Sequence, residues 1–332
     1  MINVTAIRKL DRNELVKQLG ASGEDQQELF QTACSIRNNG RFGRKVELRS
    51  VIEISNRCRQ GCRYCTMGGE DKVVYFSLSR EEILASLRGL ASIGRRSFLV
   101  QSGENVDESF LDGVTSACHD FTTEFPDAKI ILCMGNLPLE QYVRLRQAGA
   151  TRYILKFETS RPDHYHYCKP KDEFSNRETC LQNLFNAGFQ VGSGNIVGLP
   201  GQTADDLVDD LIFGMKYPFS MISSTRFISN ERSEFRDYPC GDINLTLNFI
   251  ALLRILHPDC LIPSTSSLAL GNMDGQLRGL LAGCNTVTIH DGTAKNLKKE
   301  YPIYSDNRFT PSENYCRDLI KKAGMTPEVY LI

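Results

Sequence analysis

The 332-residue chain has no tryptophan, only five histidines, and no surplus of either charge, with 39 basic against 40 acidic residues. Without a net basic field there is nothing to gather nucleic acid. No run of about 18 apolar residues occurs, so no segment is expected to span a membrane. Arg8, Lys9, Asp11, Arg12 and Glu14 interrupt the first twenty residues, which therefore lack the apolar stretch of a secretory signal. These absences point to a cytoplasmic protein. Low-complexity tracts and sharp composition breaks are also missing, so no domain boundary is marked. What remains is 41% hydrophobic and 24% charged, enough for a large core.

Cysteine is the exception. Twelve are present, in a chain too long and too plainly non-secretory for a disulfide scaffold. Nine are scattered singly and read mostly as small buried hydrophobes. Three fall together in the segment Ser55-Asn56-Arg57-Cys58-Arg59-Gln60-Gly61-Cys62-Arg63-Tyr64-Cys65.

Apolar runs and amphipathic stretches alternate along the chain. Helices are expected over 12–19 and 25–38, forming a short N-terminal helical extension (1–45) packed on the rest (46–332). Strands are expected over 46–54, 97–101, 129–134, 153–158, 190–197, 220–228, 260–265 and 286–290. Between and after them, helices are expected over 79–93, 108–123, 139–148, 175–187, 203–215, 245–256, 276–282 and 313–323. Ser79 with Glu82, and Ser175 with Glu178, fit capping boxes. Short apolar strands alternating with helices indicate an α/β fold with a parallel sheet. Eight βα pairs suggest a (β/α)8 TIM-type barrel, whose chemistry sits at the C-terminal ends of the strands.

The cysteine loop follows directly on the first strand. Three thiolates within eight residues suit an iron–sulfur cluster or zinc. Chance would produce the spacing only roughly 0.016 times in a chain this rich in cysteine. A structural zinc site wants a fourth ligand, and no His or further Cys lies close in sequence. A cluster with three protein ligands leaves one iron open to a cosubstrate. Arg57, Arg59 and Arg63 are expected to lower the thiolate pKa values.

This C-x3-C-x2-C loop resembles the cluster motif of radical S-adenosylmethionine (SAM) enzymes. The resemblance implies that Cys58, Cys62 and Cys65 hold a [4Fe–4S] cluster whose fourth iron is chelated by SAM. Tyr64 matches an aromatic residue near the adenine. Gln101-Ser102-Gly103-Glu104 looks like the segment that contacts the methionine amino group. Glu158 matches an acid on the SAM amino or ribose groups, and Arg177 an arginine that pairs with the carboxylate. Gly194, Ile196 and Gly198 fit a G-x-I-x-G adenine-binding stretch, although both glycines could simply be close-packing positions. The pattern is most similar to the biotin synthase-like branch, and within it to the [FeFe]-hydrogenase maturase HydE and methylornithine synthase. It covers roughly residues 45–325.

Against biotin synthase, only Cys133 matches a ligand of its second cluster, since strand five has Gly192 and strand two Val100 and Gln101. No second cluster is expected. The pocket differs too. Lys156, Arg226, His290, Thr288, Thr265 and Ser266 fall at strand ends, and we read them with Cys133 as a set facing the substrate, handles for an anionic or amino-acid-derived molecule. Each has a structural alternative: Lys156 could pair with a neighbouring acid, and His290 could be hydrogen-bonded in place. His164 and His166 are expected in a solvated loop. The family implies a small-molecule substrate and a reducing partner such as flavodoxin or ferredoxin. A sulfur-inserting enzyme with a second cluster, and a non-catalytic iron–sulfur or zinc protein, remain as alternatives.

Overall fold

The computed structural model describes residues 2–67, 74–271, 273–301 and 309–332. Three helices come first: α1 (Val4–Arg8), α2 (Arg12–Leu19) and α3 (Gly23–Asn39). Asp11 caps α2 by accepting from Glu14 N. Leu15, Leu19, Leu29 and Ala33 of these helices join the main core.

Strand and helix then alternate as β1 (Lys45–Ser55), α4 (Arg80–Ser92), β2 (Ser97–Ser102), α5 (Glu108–Glu124), β3 (Lys129–Cys133), α6 (Leu139–Gln147) and β4 (Arg152–Ile154). They continue as α7 (Pro162–Cys168), α8 (Phe174–Asn186), β5 (Gln190–Val197), α9 (Ala204–Gly214), β6 (Met221–Arg226) and α10 (Ile243–Leu256). The last are α11 (Gly275–Leu281), β7 (Thr286–Ile289), α12 (Glu313–Lys322) and β8 (Thr326–Glu328). Asn248 of α10 donates to Leu19 O and Ala21 O, both at 2.9 Å, fastening the N-terminal helices.

Every strand ladder among the described residues is parallel, in the order β6-β5-β4-β3-β2-β1-β7, with β8 beside the start of β1. The period-two alternation of a strand explains how β1 divides its side chains. Leu48, Ile52 and Ile54 face the helical core, whereas Arg49 and Val51 line the interior of the sheet.

The sheet is a barrel-like parallel arrangement that stays open, and the complete eight-stranded ring expected from the sequence is corrected on this point. Segment 260–265 is not a ladder strand. It makes single bridges only, Leu261 with Met221 and Pro263 with Thr286. Pro263 has no N–H to donate, and Ile262 N is taken by Asn285 Oδ1 at 2.7 Å. The eighth strand is instead β8, which the sequence reading missed. The expected strand 153–158 is also shorter, because the chain leaves the ladder after Ile154 and turns through Glu158 at φ 64°.

The Ser79–Glu82 capping box forms. The Ser175–Glu178 box does not: α8 begins at Phe174, and Glu178 accepts instead from Lys216 Nζ at 2.5 Å and Tyr217 OH at 2.8 Å. No helix among the described residues is long and apolar enough to cross a membrane.

Candidate active site

The loops beyond the C-terminal ends of the strands enclose a cavity of about 330 Å³. The cysteine loop forms one wall. Its entry is fixed where Gly103 N donates to Ser55 O at 2.9 Å, and where Asn56 Nδ2 donates to Val74 O at 2.8 Å and Glu300 O at 2.7 Å. Arg59 N donates to Glu104 O at 3.0 Å, Arg63 N to Cys168 O at 2.9 Å, and Cys65 N to Cys62 O at 3.0 Å. These bonds turn Cys58, Cys62 and Cys65 onto the cavity together.

Burial raises the Cys58 and Cys65 thiols, Cys65 to about 12, and the neighbouring Cys62 pushes both further up. Three thiols close enough to oppose one another's ionisation form a site that a cationic group would stabilise as thiolates. Glu104 N donates to Cys58 Sγ at 3.3 Å, a bond that favours the anion. The arginines of the loop do not serve this purpose, contrary to expectation. Arg59 pairs with Glu104 at 2.7 Å, Arg63 pairs with Glu234 at 3.1 Å and lies over Tyr167, and Arg57 lies over Tyr75. Among the described residues no three His, Cys, Asp or Glu side chains are disposed to hold a single metal ion. An iron–sulfur cluster, which takes one thiolate per iron, is the group this loop suits.

Beside the cysteines, Gln101, Ser102, Gly103 and Glu104 line the cavity from the end of β2. Glu104 is nearly fully buried and saturated. Its Oε1 accepts from Arg59 Nε at 2.7 Å and Gln60 Nε2 at 2.8 Å, and its Oε2 from Asn136 N at 2.8 Å. Its carboxylate therefore organises the loops, while Gln101 presents its side chain to the cavity from the end of β2. Tyr64 packs against Ile196, Phe227 and Phe235, an apolar wall suited to a flat ring.

Glu158 and Arg177 face the same space. Burial pushes the Glu158 carboxyl up, but Lys156 at 2.8 Å, with Lys169 and Arg177, outweighs it and holds it below its ordinary value. Burial lowers Arg177, yet Tyr165, Glu104 and Asp172 keep it well above its usual range, so it stays charged. Its Nε donates to Tyr165 OH at 2.9 Å, and Asp172 lies 3.5 Å from Nη2. Ile196 lines the cavity, but Gly194 and Gly198 do not. A Cβ on Gly194 would lie 2.0 Å from Ser223 O, and one on Gly198 would lie 2.3 Å from Gly241 Cα. Close backbone approach accounts for both glycines.

The seven residues read as facing the substrate, Lys156, Arg226, His290, Cys133, Thr265, Ser266 and Thr288, all line the cavity. Arg226 donates from Nε to Gly241 O at 2.5 Å and from Nη1 to Leu270 O at 2.9 Å. His290 lies 3.9 Å from Glu53, which also receives Gln101 Nε2 at 3.4 Å. Thr265 Oγ1 meets Ser267 Oγ at 2.9 Å. Burial pushes the Cys133 thiol up to about 11. His164 departs from expectation. It is buried, with Thr159 Oγ1 at 3.1 Å and Pro200 O at 2.9 Å on its two nitrogens. His166 is exposed beside Glu173.

The sequence reading missed Arg49, Lys169, Ser223, Thr225 and Gln276 in the lining. Arg49 had a signal: Glu47, Arg49 and Glu53 fall at even spacing within an apolar strand, so they share its inner face.

The Radical SAM superfamily model matches residues 52–213. The [FeFe] hydrogenase maturase subunit HydE of Thermotoga maritima is 34% identical over 307 residues, covering 90% of this chain and 86% of its own. A biotin synthase of Crocosphaera subtropica is 26% identical, covering 85% and 76%. The crystal structure of methylornithine synthase (PylB) superposes with a TM-score of 0.84 at 22% identity, covering 98% of this chain and 97% of that one.

Proposed function

The chain belongs to the radical SAM superfamily and is an enzyme that uses a [4Fe–4S] cluster and SAM; from that premise we propose that it is a HydE-like or methylornithine-synthase-like enzyme acting on a small amino-acid-derived or anionic substrate. When bound and reduced, the pair supplies a 5′-deoxyadenosyl radical. The protein's part is to hold, orient and keep dry. In this reading Cys58, Cys62 and Cys65 carry the cluster. Gln101, Ser102 and Gly103 take the methionine end of SAM, Arg177 and Glu158 its charged groups, and Tyr64 and Ile196 the adenine.

One observation carries the substrate class. Arg226 is held by two backbone carbonyls, faces the cavity, and has no carboxylate within ion-pair distance among the described residues. A fixed guanidinium at a strand end, without a counter-ion among the described residues, suits an anionic group such as a carboxylate. Lys156, shared with Glu158, supplies a second positive group, and Thr265 and Ser266 supply hydroxyls. We further read residues 1–45 as an extension on the 46–332 barrel, and flavodoxin or ferredoxin as the class of reductant.

The test is anaerobic reconstitution, reduction with dithionite, and measurement of 5′-deoxyadenosine with SAM alone and with a panel of amino acids and their derivatives. The reading expects at least one carboxylate-bearing compound to raise formation above the basal level, and Arg226→Met to lose that stimulation while retaining basal cleavage. A panel in which only uncharged compounds stimulate, or an Arg226→Met enzyme stimulated like the parent, overturns the substrate class.

A further inference from the structure

Asp210 lies on α9, outside the cavity, and is completely buried. One carboxylate oxygen accepts from Ser160 N at 2.7 Å and from Ser160 Oγ at 2.8 Å. The other accepts from Asn195 Nδ2 at 2.9 Å. Among the described residues no cation lies within ion-pair distance of it. Its charged neighbour on the same helix is Asp206, one turn earlier, which is itself held by Arg161 Nη1 at 2.7 Å and caps α9 through Thr203. A buried carboxyl group without a counter-ion is unfavourable to place. Nothing in the cavity touches it.

Its partners bracket a single residue. Ser160 ends the turn that Glu158 begins, and Asn195 is the β5 residue bridged to Glu158. Glu158 has φ 64°, in the left-handed region that non-glycine residues rarely adopt. Such a conformation persists only where the surroundings over-determine it. Here Glu158 N donates to Gly194 O at 3.0 Å, Ile196 N to Glu158 O at 2.8 Å, and Thr159 N to Phe157 O at 2.8 Å. Those bonds fix the turn against β5. The Asp210 bonds fix its exit and, through Asn195, the strand it leans on. The left-handed turn is what sends the Glu158 side chain into the cavity rather than along the sheet.

We propose that Asp210 is the positioning residue that locks the 157–160 turn and thereby presents the Glu158 carboxylate to SAM. The proposal rests on the reading that Glu158 contacts SAM. It also accounts for the chemistry of the partners. Every donor to Asp210 is neutral, so the group acts through geometry and not as one half of an ion pair.

The test compares Asp210→Ala, Asp210→Asn, Ser160→Ala and Glu158→Gln in cluster-reconstituted protein. SAM affinity is read by calorimetry, and local opening by hydrogen–deuterium exchange over residues 155–161. Asp210→Ala is expected to weaken SAM roughly tenfold and to speed exchange at the Ser160 amide, with iron content unchanged. Asp210→Asn is expected to stay within about twofold of the parent. It keeps an acceptor for Ser160, and a flip of the Asn195 amide would turn Asn195 Oδ1, now without a partner among the described residues, onto the new NH2 group. Parent-like affinity and exchange in Asp210→Ala, or an Asp210→Asn as weak as Asp210→Ala, overturns the proposal. Should Asp210→Ala fail to fold, Ser160→Ala removes one bond only. A weakening of about threefold then supports the clamp, and parent-like affinity and exchange overturn it. Unchanged SAM affinity in Glu158→Gln would instead overturn the SAM reading of Glu158, while exchange at Ser160 still judges Asp210 as the clamp of the turn.

Discussion

The two ends of the sheet interior hold the same kinds of residue in opposite states. At the N-terminal end, Glu47 is fully buried between two arginines. Its Oε1 accepts from Arg49 Nε at 2.7 Å and Arg152 Nη1 at 2.8 Å, its Oε2 accepts from Leu331 N at 2.8 Å, and Arg152 also donates to Ile332 O. At the C-terminal end, Arg226 rests on backbone carbonyls, Arg177 on Tyr165 with Asp172 at 3.5 Å, and Lys156 shares Glu158, all with a cavity before them. The floor closes on itself; the mouth leaves positive groups facing open space. A buried charge is thus no marker of function by itself. What marks the mouth is that its charges are oriented by neutral or shared partners and still face a space that can hold a ligand.

Mutations at the two ends should therefore fail differently. The largest effect is expected from Cys62→Ala. Reconstituted protein should fall from about four irons per chain to almost none, and 5′-deoxyadenosine should become undetectable. Retention of either would unseat the ligand assignment, whereas six or eight irons in the parent would favour a second cluster. Next comes Glu47→Gln on the floor. Removing the anion that two buried arginines share should destabilise the fold by about 3–5 kcal/mol, read by urea denaturation, with SAM affinity of the folded fraction intact. A Glu47→Gln protein as stable as the parent would mean that the floor is not held by this network.

How much of each end could be read in advance follows from how local its signal is. The cysteine loop, Gln101–Glu104, Lys156 and Glu158 lie at or just beyond the end of a strand, where cysteine spacing, strand order and the family resemblance together pointed to them. The floor was missed, although Glu47 and Arg49 alternate within an apolar strand, because their partner Arg152 is about a hundred residues away. Lys169 and Gln276 reach the cavity from elements whose orientation only packing decides. Segment 260–265 has a strand's apolar content, but Pro263 lacks an N–H and the Asn285 side chain takes that of Ile262, so its pairing stops at single bridges. The reverse error was His164: the polar-looking stretch Asp163–His166 belongs to α7, whose buried face is His164, Tyr165 and Cys168. Ser175 and Glu178 show that a capping-box spacing fails when the helix starts two residues early, with Glu173 and not Ser175 at the N-cap.

The two ends should also answer pH with opposite sign. On the floor, burial raises the Glu47 carboxyl, but Arg49 and Arg152 outweigh it and hold it below its ordinary value. Its contribution is present above the unfolded-state pKa and is lost as pH falls through the lower folded one. Behind the mouth, burial pushes Asp210 up to about 7, against its bonds to Asn195 and Ser160. That contribution is complete below the ordinary aspartate value of about 4 and is lost as pH rises towards 7. Across that window the loss amounts to at most about 4 kcal/mol. Denaturation midpoints of Asp210→Asn relative to the parent should therefore improve from pH 4 to pH 8. Those of Glu47→Gln should converge on the parent only below pH 4. Parallel pH profiles for the two variants would erase the distinction.

The smallest expected effect is the sharpest probe of the mouth, Arg177→Lys. Asp172 would keep Tyr165 OH at 2.6 Å, Asn136 Nδ2 at 2.9 Å and Asn176 Nδ2 at 2.7 Å, so the fold loses little when the guanidinium goes. A lysine preserves the charge but offers a point donor where a planar fork would meet a carboxylate. If Arg177 pairs with the SAM carboxylate, affinity should fall about tenfold, near 1.4 kcal/mol, with thermal stability and iron content unchanged. A loss of stability without a loss of affinity would move Arg177 to the same class as Glu47, a charge that holds the protein together. The positive groups of the mouth left to a ligand would then reduce to Arg226 and the Lys156 that Glu158 shares, which is the pair that the substrate reading requires.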